Sequence, residues 1–237
     1  MTTQDQLFPL FAPLLEYPTA QLANQIKHCM EVINAEYPQV TTSLFPFGDF
    51  VNQSKLEQVE ELYTKTFHIQ AICFLDLGYV IFGEDYKRGE FLAHMKREQR
   101  EAGNDCGTEL PDNLPKILRL LPLLKEQDLK EELITMILIP GLKKMLNEFD
   151  SAKMKRREEA ILQKHKALLM VGQLGGNIYQ HVLSSLLELM EFMYKEALVD
   201  LPVIKPPIIN PFLNSCGGPP GYGHQNFTSP KQKSDRL

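Results

Sequence analysis

The sequence predicts an all-α protein: a single helical domain of roughly eight to ten helices, residues 1–200, followed by a Pro/Gly-rich tail, residues 201–237. Apolar residues recur at helical spacing through most of the domain, and no series of alternating strands interrupts them. Hydrophobic residues make up 43% of the chain and charged residues 23%, which is ordinary for a folded protein. The tail is rich in proline, glycine and polar residues, so it cannot bury enough surface to offset the entropy that it would lose on ordering. We therefore expect it to be flexible or extended.

The first two helices are predicted from short apolar series. Residues 7–15 predict a short helix with Pro9 in its first turn, which Pro13 shortens or kinks. Thr19 is then positioned to cap a second helix that ends before Pro38. The apolar positions of this second helix are Leu22, Ile26, Cys29 or Met30, and Ile33.

A further helix begins at Leu56 and presents Glu57, Glu60 and Glu61 on its polar face. Its apolar face consists of Val59, Leu62, Tyr63, and Thr66 or Phe67. The next segment, residues 71–82, is ambiguous, because its apolar residues also fit a buried strand. Its length of 12 residues favours a helix.

Glycines and capping residues divide the middle of the chain. Gly83 is expected to end the helix of residues 71–82, and Asp85 to cap the next helix, which continues to Gly103. After the loop at residues 104–112, Asp112 or Asn113 can cap a helix with a proline in its first turn. The apolar positions of that helix are Leu114, Ile117, Leu118 and Leu121.

The remaining helices are longer and less clearly divided. Residues 129–139 and 142–149 flank Pro140 and Gly141, so they form consecutive helices or one broken helix. The last long element is predicted from about residue 155 to residue 198, with a glycine pair as its expected break.

Charge is divided unevenly between the domain and the tail. Residues 1–200 contain 21 Lys and Arg against 29 Asp and Glu, a net charge of −8, whereas residues 201–237 carry a net charge of +3. Nucleic acid requires a basic surface, so an acidic domain argues against that class of partner. It favours a cationic peptide instead.

Neither a membrane span nor an export signal is expected. The first residues include Asp5 and no basic segment, and the longest strongly apolar run, residues 133–139, is far shorter than the roughly 20 residues of a transmembrane helix. The four cysteines lie far apart without a Cys-x-x-Cys pair, so reduced thiols are the simplest interpretation. We therefore expect a cytoplasmic protein without direct membrane insertion.

No set of residues predicts an enzyme. The six histidines are dispersed without metal-ligand spacing, and the glycines near residue 175 lack the strand and lysine of a phosphate-binding loop. The basic run at residues 153–157 is followed at once by two acids, which is typical of an exposed helix start. We predict no catalytic residue, no metal site and no cofactor.

Three motifs lie in order between residues 63 and 115. The first is a Tyr-x-x-x-Phe pair, the second a Phe-Gly-Glu-Asp turn followed by Arg-Gly, and the third a Leu-Pro-Asp-Asn-Leu-Pro turn. Their residues are Tyr63 and Phe67; Phe82, Gly83, Glu84, Asp85, Arg88 and Gly89; and Glu109, Leu110, Pro111, Asp112, Asn113, Leu114 and Pro115, where Glu109 directly precedes the third turn. All three motifs also fit plain helix ends and starts.

The order and spacing of these motifs resemble the NarJ-type assembly chaperones of respiratory nitrate reductase, a branch of the TorD-like family of cytosolic chaperones for molybdenum enzymes. Two positions depart from the family pattern. Tyr86 stands where the family has an arginine after the acids, and Asn113 stands where it has a histidine. Asparagine does not titrate near neutral pH, so the resemblance carries over the acidic partner, Asp112, but no imidazole chemistry.

The resemblance implies an all-helical chaperone with no reaction of its own. Its partner would be the immature catalytic subunit of a molybdenum oxidoreductase, bound at the N-terminal segment. The chaperone would hold this subunit for insertion of the molybdenum cofactor and for assembly with the iron–sulfur subunit, as a monomer or weak dimer. The alternative is a helical regulatory or scaffolding protein that binds another partner peptide.

The chemistry of the expected client segment sets a physical requirement for its binding site. Export-type leaders carry a basic segment followed by an apolar stretch, so their receptor needs an apolar groove edged with acids. The candidate client-binding residues are Tyr63, Phe67, Phe82, Glu84, Asp85, Arg88, Glu109, Asp112, Asn113 and Leu114. The aromatic residues also fit core packing and the acids also fit helix capping, and both interpretations stay open.

Overall fold

The computed structural model describes residues 6–69, 71–150, 153–156 and 177–199. Within these ranges the chain is mostly helical, and its only strand-like pairing is an isolated antiparallel bridge between Asp76 and Asn113. The predicted all-α class is confirmed. The tail, the glycine pair at Gly175 and Gly176, and most of the helix predicted upstream of that pair lie outside the described residues.

The short helix predicted near the N-terminus is present as a 3-10 helix at Phe8–Leu14, the first element among the described residues. Pro9 lies in its first turn, as predicted, and Pro13 lies inside it. The two prolines remove two backbone donors within a short segment, which is unfavourable for a regular α-helix.

Helix α1, Leu22–Asn34, buries the predicted apolar face. Its N-cap position is Gln21 instead of Thr19, and the Thr19 hydroxyl accepts a hydrogen bond from the Gln21 N–H at 3.3 Å in the turn before the helix. The second helix, α2 at Pro38–Gln53, was not predicted, and Pro46 lies inside it.

Helix α2 packs closely against α1 because of a glycine. A Cβ atom at Gly48 would lie 3.2 Å from the Ile26 side chain of α1. The buried residues of α2 recur at helical spacing and are Val40, Leu44, Phe47, Gly48 and Val51.

Helix α3 at Leu56–Phe67 agrees with the prediction, but only the second half of residues 71–82 is helical, as α4 at Leu77–Phe82. The backbone of the first half bonds to distant partners. The Ile72 N–H donates to the Thr66 carbonyl at 2.8 Å, and the Leu75 carbonyl accepts from the N–H of Leu114 at 2.8 Å. These bonds replace local helical ones.

Helix α5, Tyr86–Glu101, begins and ends as predicted. The Asp85 carboxylate accepts a hydrogen bond from the Lys87 N–H at 2.9 Å, which is the expected N-cap. Gly83 ends α4 with a φ of 64°, a left-handed value that glycine adopts without strain.

The next elements are α6 at Leu114–Leu120, a 3-10 turn at Leu121–Leu123, and α7 at Gln127–Glu132. A π-helix, Leu133–Leu138, follows α7 and leads directly into α8 at Ile139–Asn147.

The break predicted at Pro140 and Gly141 lies slightly earlier, between the π-helix and α8. Pro140 lies in the first turn of α8, and the wider π-helical turn immediately precedes it. Gly141 allows α8 to approach α4, because a Cβ atom there would lie 2.8 Å from the side chain of Leu77.

Helix α9, Tyr179–Met193, packs against α2 and α8, and a short helix α10 follows at Lys195–Val199. The start of α9 is fixed to α3 by Asn177. Its side-chain amide donates to the Thr66 hydroxyl at 2.7 Å, and its carbonyl oxygen accepts from the Tyr179 N–H at 3.0 Å. Among the described residues, no helix is long and apolar enough to cross a membrane.

Candidate functional site

A surface cavity of about 620 Å³ lies where the end of the N-terminal 3-10 helix meets α3, the irregular residues 71–76, the loop before α6 and the start of α6. We call it the aromatic groove. Its lining residues are Leu15, Glu16, Tyr17, Tyr63, Phe67, His68, Phe74, Leu75, Asp76, Cys106, Gly107, Thr108, Glu109, Asn113, Pro115 and Lys116.

Aromatic rings that pack edge-on or tilted against one another form one wall of the groove. The Tyr63 ring lies 5.1 Å from Phe67, 5.6 Å from Tyr17 and 5.8 Å from Tyr179. The Tyr63 hydroxyl donates to the Leu15 carbonyl at 3.2 Å, and burial raises its pKa, so it remains a neutral donor. This wall is apolar, packed and fixed in orientation.

Three carboxylates lie around the groove, and they differ in their partners. Glu16 forms a two-point ion pair with Arg119 and lies 3.9 Å from the Lys116 ammonium. Asp76 and Glu109 form no ion pair with any residue that the structure describes. These last two carboxylates are available to an incoming cation.

Phe74 is the most exposed aromatic residue of the groove after Tyr17, with 42% of its surface accessible. Its ring packs edge-on against Tyr79 at 4.8 Å, and the Arg88 guanidinium lies 5.2 Å from the same tyrosine ring. On its other side Phe74 lines a second cavity of about 420 Å³, together with Val80 and Lys144. Phe74 is thus an apolar ridge between two cavities.

The groove brings together four of the ten residues predicted for client binding: Tyr63, Phe67, Glu109 and Asn113. Tyr63, Phe67 and Asn113 are largely buried, and Glu109 is exposed. They come from α3 and from the residues before α6, so the fold joins the first motif to the third.

The second motif lies apart from the groove. Glu84 and Asp85 are exposed at the start of α5 and line neither of the two cavities. Arg88 is partly buried over Tyr79, and the Phe82 ring packs at 5.6 Å from Phe91. The position of Phe82 agrees with core packing, and the position of Asp85 agrees with helix capping.

Two predicted residues require correction. Asp112 and Leu114 are fully buried, so neither offers surface for a groove lining. The Asp112 side chain does not cap α6; its carboxylate accepts from the Gly78 N–H at 2.9 Å and thereby caps α4. Asn113 occupies the N-cap position of α6, but its side chain makes no capping bond.

The environment of Asp112 raises its pKa to about 6, first through burial and then through the nearby charge of Asp76. The Gly78 N–H and the Arg88 guanidinium act in the opposite direction. One carboxylate oxygen of Asp112 has no hydrogen-bond partner among the described residues. The charged form of Asp112 is therefore energetically unfavourable in the folded protein.

Sequence patterns did not identify Glu16, Tyr17, Phe74 and Asp76 as part of this site. Phe74 belongs to residues 71–82, which were predicted as a helix, but the first half of this segment is irregular, so the pattern carries no signal for the exposure of Phe74. Glu16 and Tyr17 lie between the first two predicted helices and belong to none of the three motifs. Their position in the groove follows from packing between distant segments.

No protein-family model matches the chain, and no curated protein matches it either. In the described ranges, no group of three or more His, Cys, Asp and Glu side chains is arranged to hold a metal ion.

Proposed function

We propose that the protein is a cytosolic assembly chaperone for a molybdenum oxidoreductase of the nitrate reductase type. It binds the N-terminal segment of the immature catalytic subunit and holds that subunit for insertion of the molybdenum cofactor and for complex assembly. The observation that carries the proposal is the aromatic groove, which combines Tyr63, Phe67, Glu109 and Asn113 from two of the family-like motifs.

The chemistry of the groove suits a leader that is basic and then apolar. Phe74 and the Tyr63 wall bind the apolar side chains, and desolvated aromatic anchors of this kind supply most of the affinity in peptide complexes. The carboxylates of Asp76 and Glu109 bind the basic part. Their charge increases the encounter rate more than the final affinity.

The size of the groove supports a short segment as its occupant. A volume of about 620 Å³ lies within the range of small-ligand pockets, so it accepts several side chains rather than a folded surface. Binding covers the apolar leader until the subunit is complete. This role requires affinity and release, and no chemical step.

Capture from native cytoplasm followed by mass spectrometry tests this proposal. The wild-type protein is expected to recover the catalytic subunit of a molybdenum oxidoreductase, and Phe74→Ser is expected to recover at least about tenfold less, because it removes an aromatic anchor. The matched control is Phe45→Ser, since Phe45 is 60% exposed on α2 and does not line the groove.

A charge pair extends the same test. Glu109→Lys is expected to reduce recovery, whereas Glu84→Lys, which makes the same charge change away from the groove, is expected to leave it unchanged. Recovery of one unrelated partner without any molybdenum oxidoreductase would contradict the proposal and favour the scaffolding alternative.

A further inference from the structure

The residues after α10 have the composition of a ligand for an acidic, aromatic surface. Residues 201–237 contain four basic residues and one acid, whereas residues 1–200 carry a net charge of −8. The first part of this segment combines one lysine, Lys205, with bulky apolar side chains and prolines. The apolar residues of this first part are Leu201, Val203, Ile204, Ile208, Ile209, Phe212 and Leu213.

The end of the last described helix lies within reach of the aromatic groove. The Tyr194 ring, just before α10, packs at 6.4 Å from Phe8, the first residue of the N-terminal 3-10 helix. The other end of that helix leads directly into the groove residues Leu15 and Glu16. Seven residues of 3-10 helix span about 14 Å.

The length of the following segment matches this distance. A proline-rich chain can extend about 3.1 Å per residue, so eight residues, 200–207, are long enough to bridge up to about 25 Å. That length covers the 3-10 helix and the last turn at Val199. Ile208 is therefore the first apolar residue after the prolines that can enter the groove.

We infer that residues 208–213 of this chain bind in the aromatic groove, with Ile208 and Phe212 against the Phe74 ridge and Lys205 facing the carboxylates of Asp76 and Glu109. Charge complementarity and length both support this occupant. Its prolines fix φ in the free chain as well, so less conformational entropy is lost on binding.

This contact has a consequence for any external peptide. A segment tethered to its own receptor has an effective concentration in the millimolar range. A client must displace residues 208–213 before it enters the groove, so weak or incorrect peptides are excluded. The contact itself does not depend on the identity of the client.

Two native cysteines allow a direct test in the full-length protein. Cys106 lines the groove and is partly exposed, and Cys216 follows Leu213 by three residues, whereas Cys29 and Cys73 are buried. A short bismaleimide, which adds to one thiol at each end, is expected to join Cys106 to Cys216 within one chain. Mass spectrometry of the monomer fraction identifies the link.

The double variant Ile208→Asp, Phe212→Asp is expected to reduce this link at least about tenfold. The matched control is Phe227→Asp, an aromatic residue farther along the same segment, which is expected to leave the link unchanged. Labelling with N-ethylmaleimide verifies that both thiols remain reactive in each protein.

An equal yield of link in the double variant and the wild type would overturn the inference, as would a link formed only between two chains. The results of the cross-linking experiment and of the capture experiment are independent of each other. Failure to capture a molybdenum oxidoreductase leaves the cross-link prediction intact, and absence of the cross-link leaves the capture prediction intact.

Discussion

Replacing Gly78 with alanine is expected to lower the free energy of unfolding by about 3–5 kcal/mol. A Cβ atom at this position would lie 2.6 Å from the Asp112 carboxylate and 3.0 Å from the Phe91 ring, both of which are fully buried. To relieve the contact, the carboxylate has to move away from the Gly78 N–H. That movement leaves a buried charge without its hydrogen bond.

Urea denaturation of the Gly78→Ala and wild-type proteins measures this loss. The matched control is Gly89→Ala, because a Cβ atom at Gly89 meets no atom within 4 Å and the residue lies inside α5. Alanine has the higher helix propensity, so this control is expected to gain about 0.5–1 kcal/mol. Equal effects of the two substitutions would show that close packing at Gly78 does not determine stability.

Replacing Asp112 with asparagine is expected to change how stability depends on pH. The pKa of Asp112 is raised from 3.8 to about 6 in the folded protein, so the folded state binds more protons than the unfolded state between these values. The contribution of Asp112 to stability is therefore complete below about pH 4 and is lost as the pH rises to 6. A shift of about two pKa units corresponds to about 3 kcal/mol.

The wild-type protein is thus expected to lose about 3 kcal/mol relative to Asp112→Asn between about pH 4 and about pH 7. Urea denaturation across this range measures the difference. Glu84→Gln removes the same formal charge from an exposed position and serves as the control. A constant difference between wild type and Asp112→Asn across the range would contradict the burial of an ionisable Asp112.

The elements that sequence predicted well carry their signals locally. Helix α1 has a regular apolar face, and α5 adds the N-cap Asp85, whose carboxylate bonds two residues along the chain. Helix α2 was not predicted, because Pro46 and Gly48 resemble helix breakers. Packing against α1 and α9 stabilises it, and Gly48 is required by that packing.

The candidate site was only partly predictable for a related reason. Tyr63 and Glu109 belong to recognisable motifs, whereas Phe74 enters the groove through packing of an irregular segment that was predicted as part of a helix. Asp112 precedes α6 and therefore resembles a local cap. Its carboxylate instead caps α4 through the N–H of Gly78, which lies 34 residues earlier in the chain. Local sequence does not specify such long-range partners.

We propose that the groove assists assembly of a molybdenum oxidoreductase. The molybdenum content of that enzyme's catalytic subunit, purified from cells that lack this protein, tests this role. The proposal predicts a strong decrease in molybdenum per subunit, restored by wild type and by Phe45→Ser but not by Phe74→Ser, with circular dichroism verifying that both variants fold. An unchanged molybdenum content, or full restoration by Phe74→Ser, would contradict it.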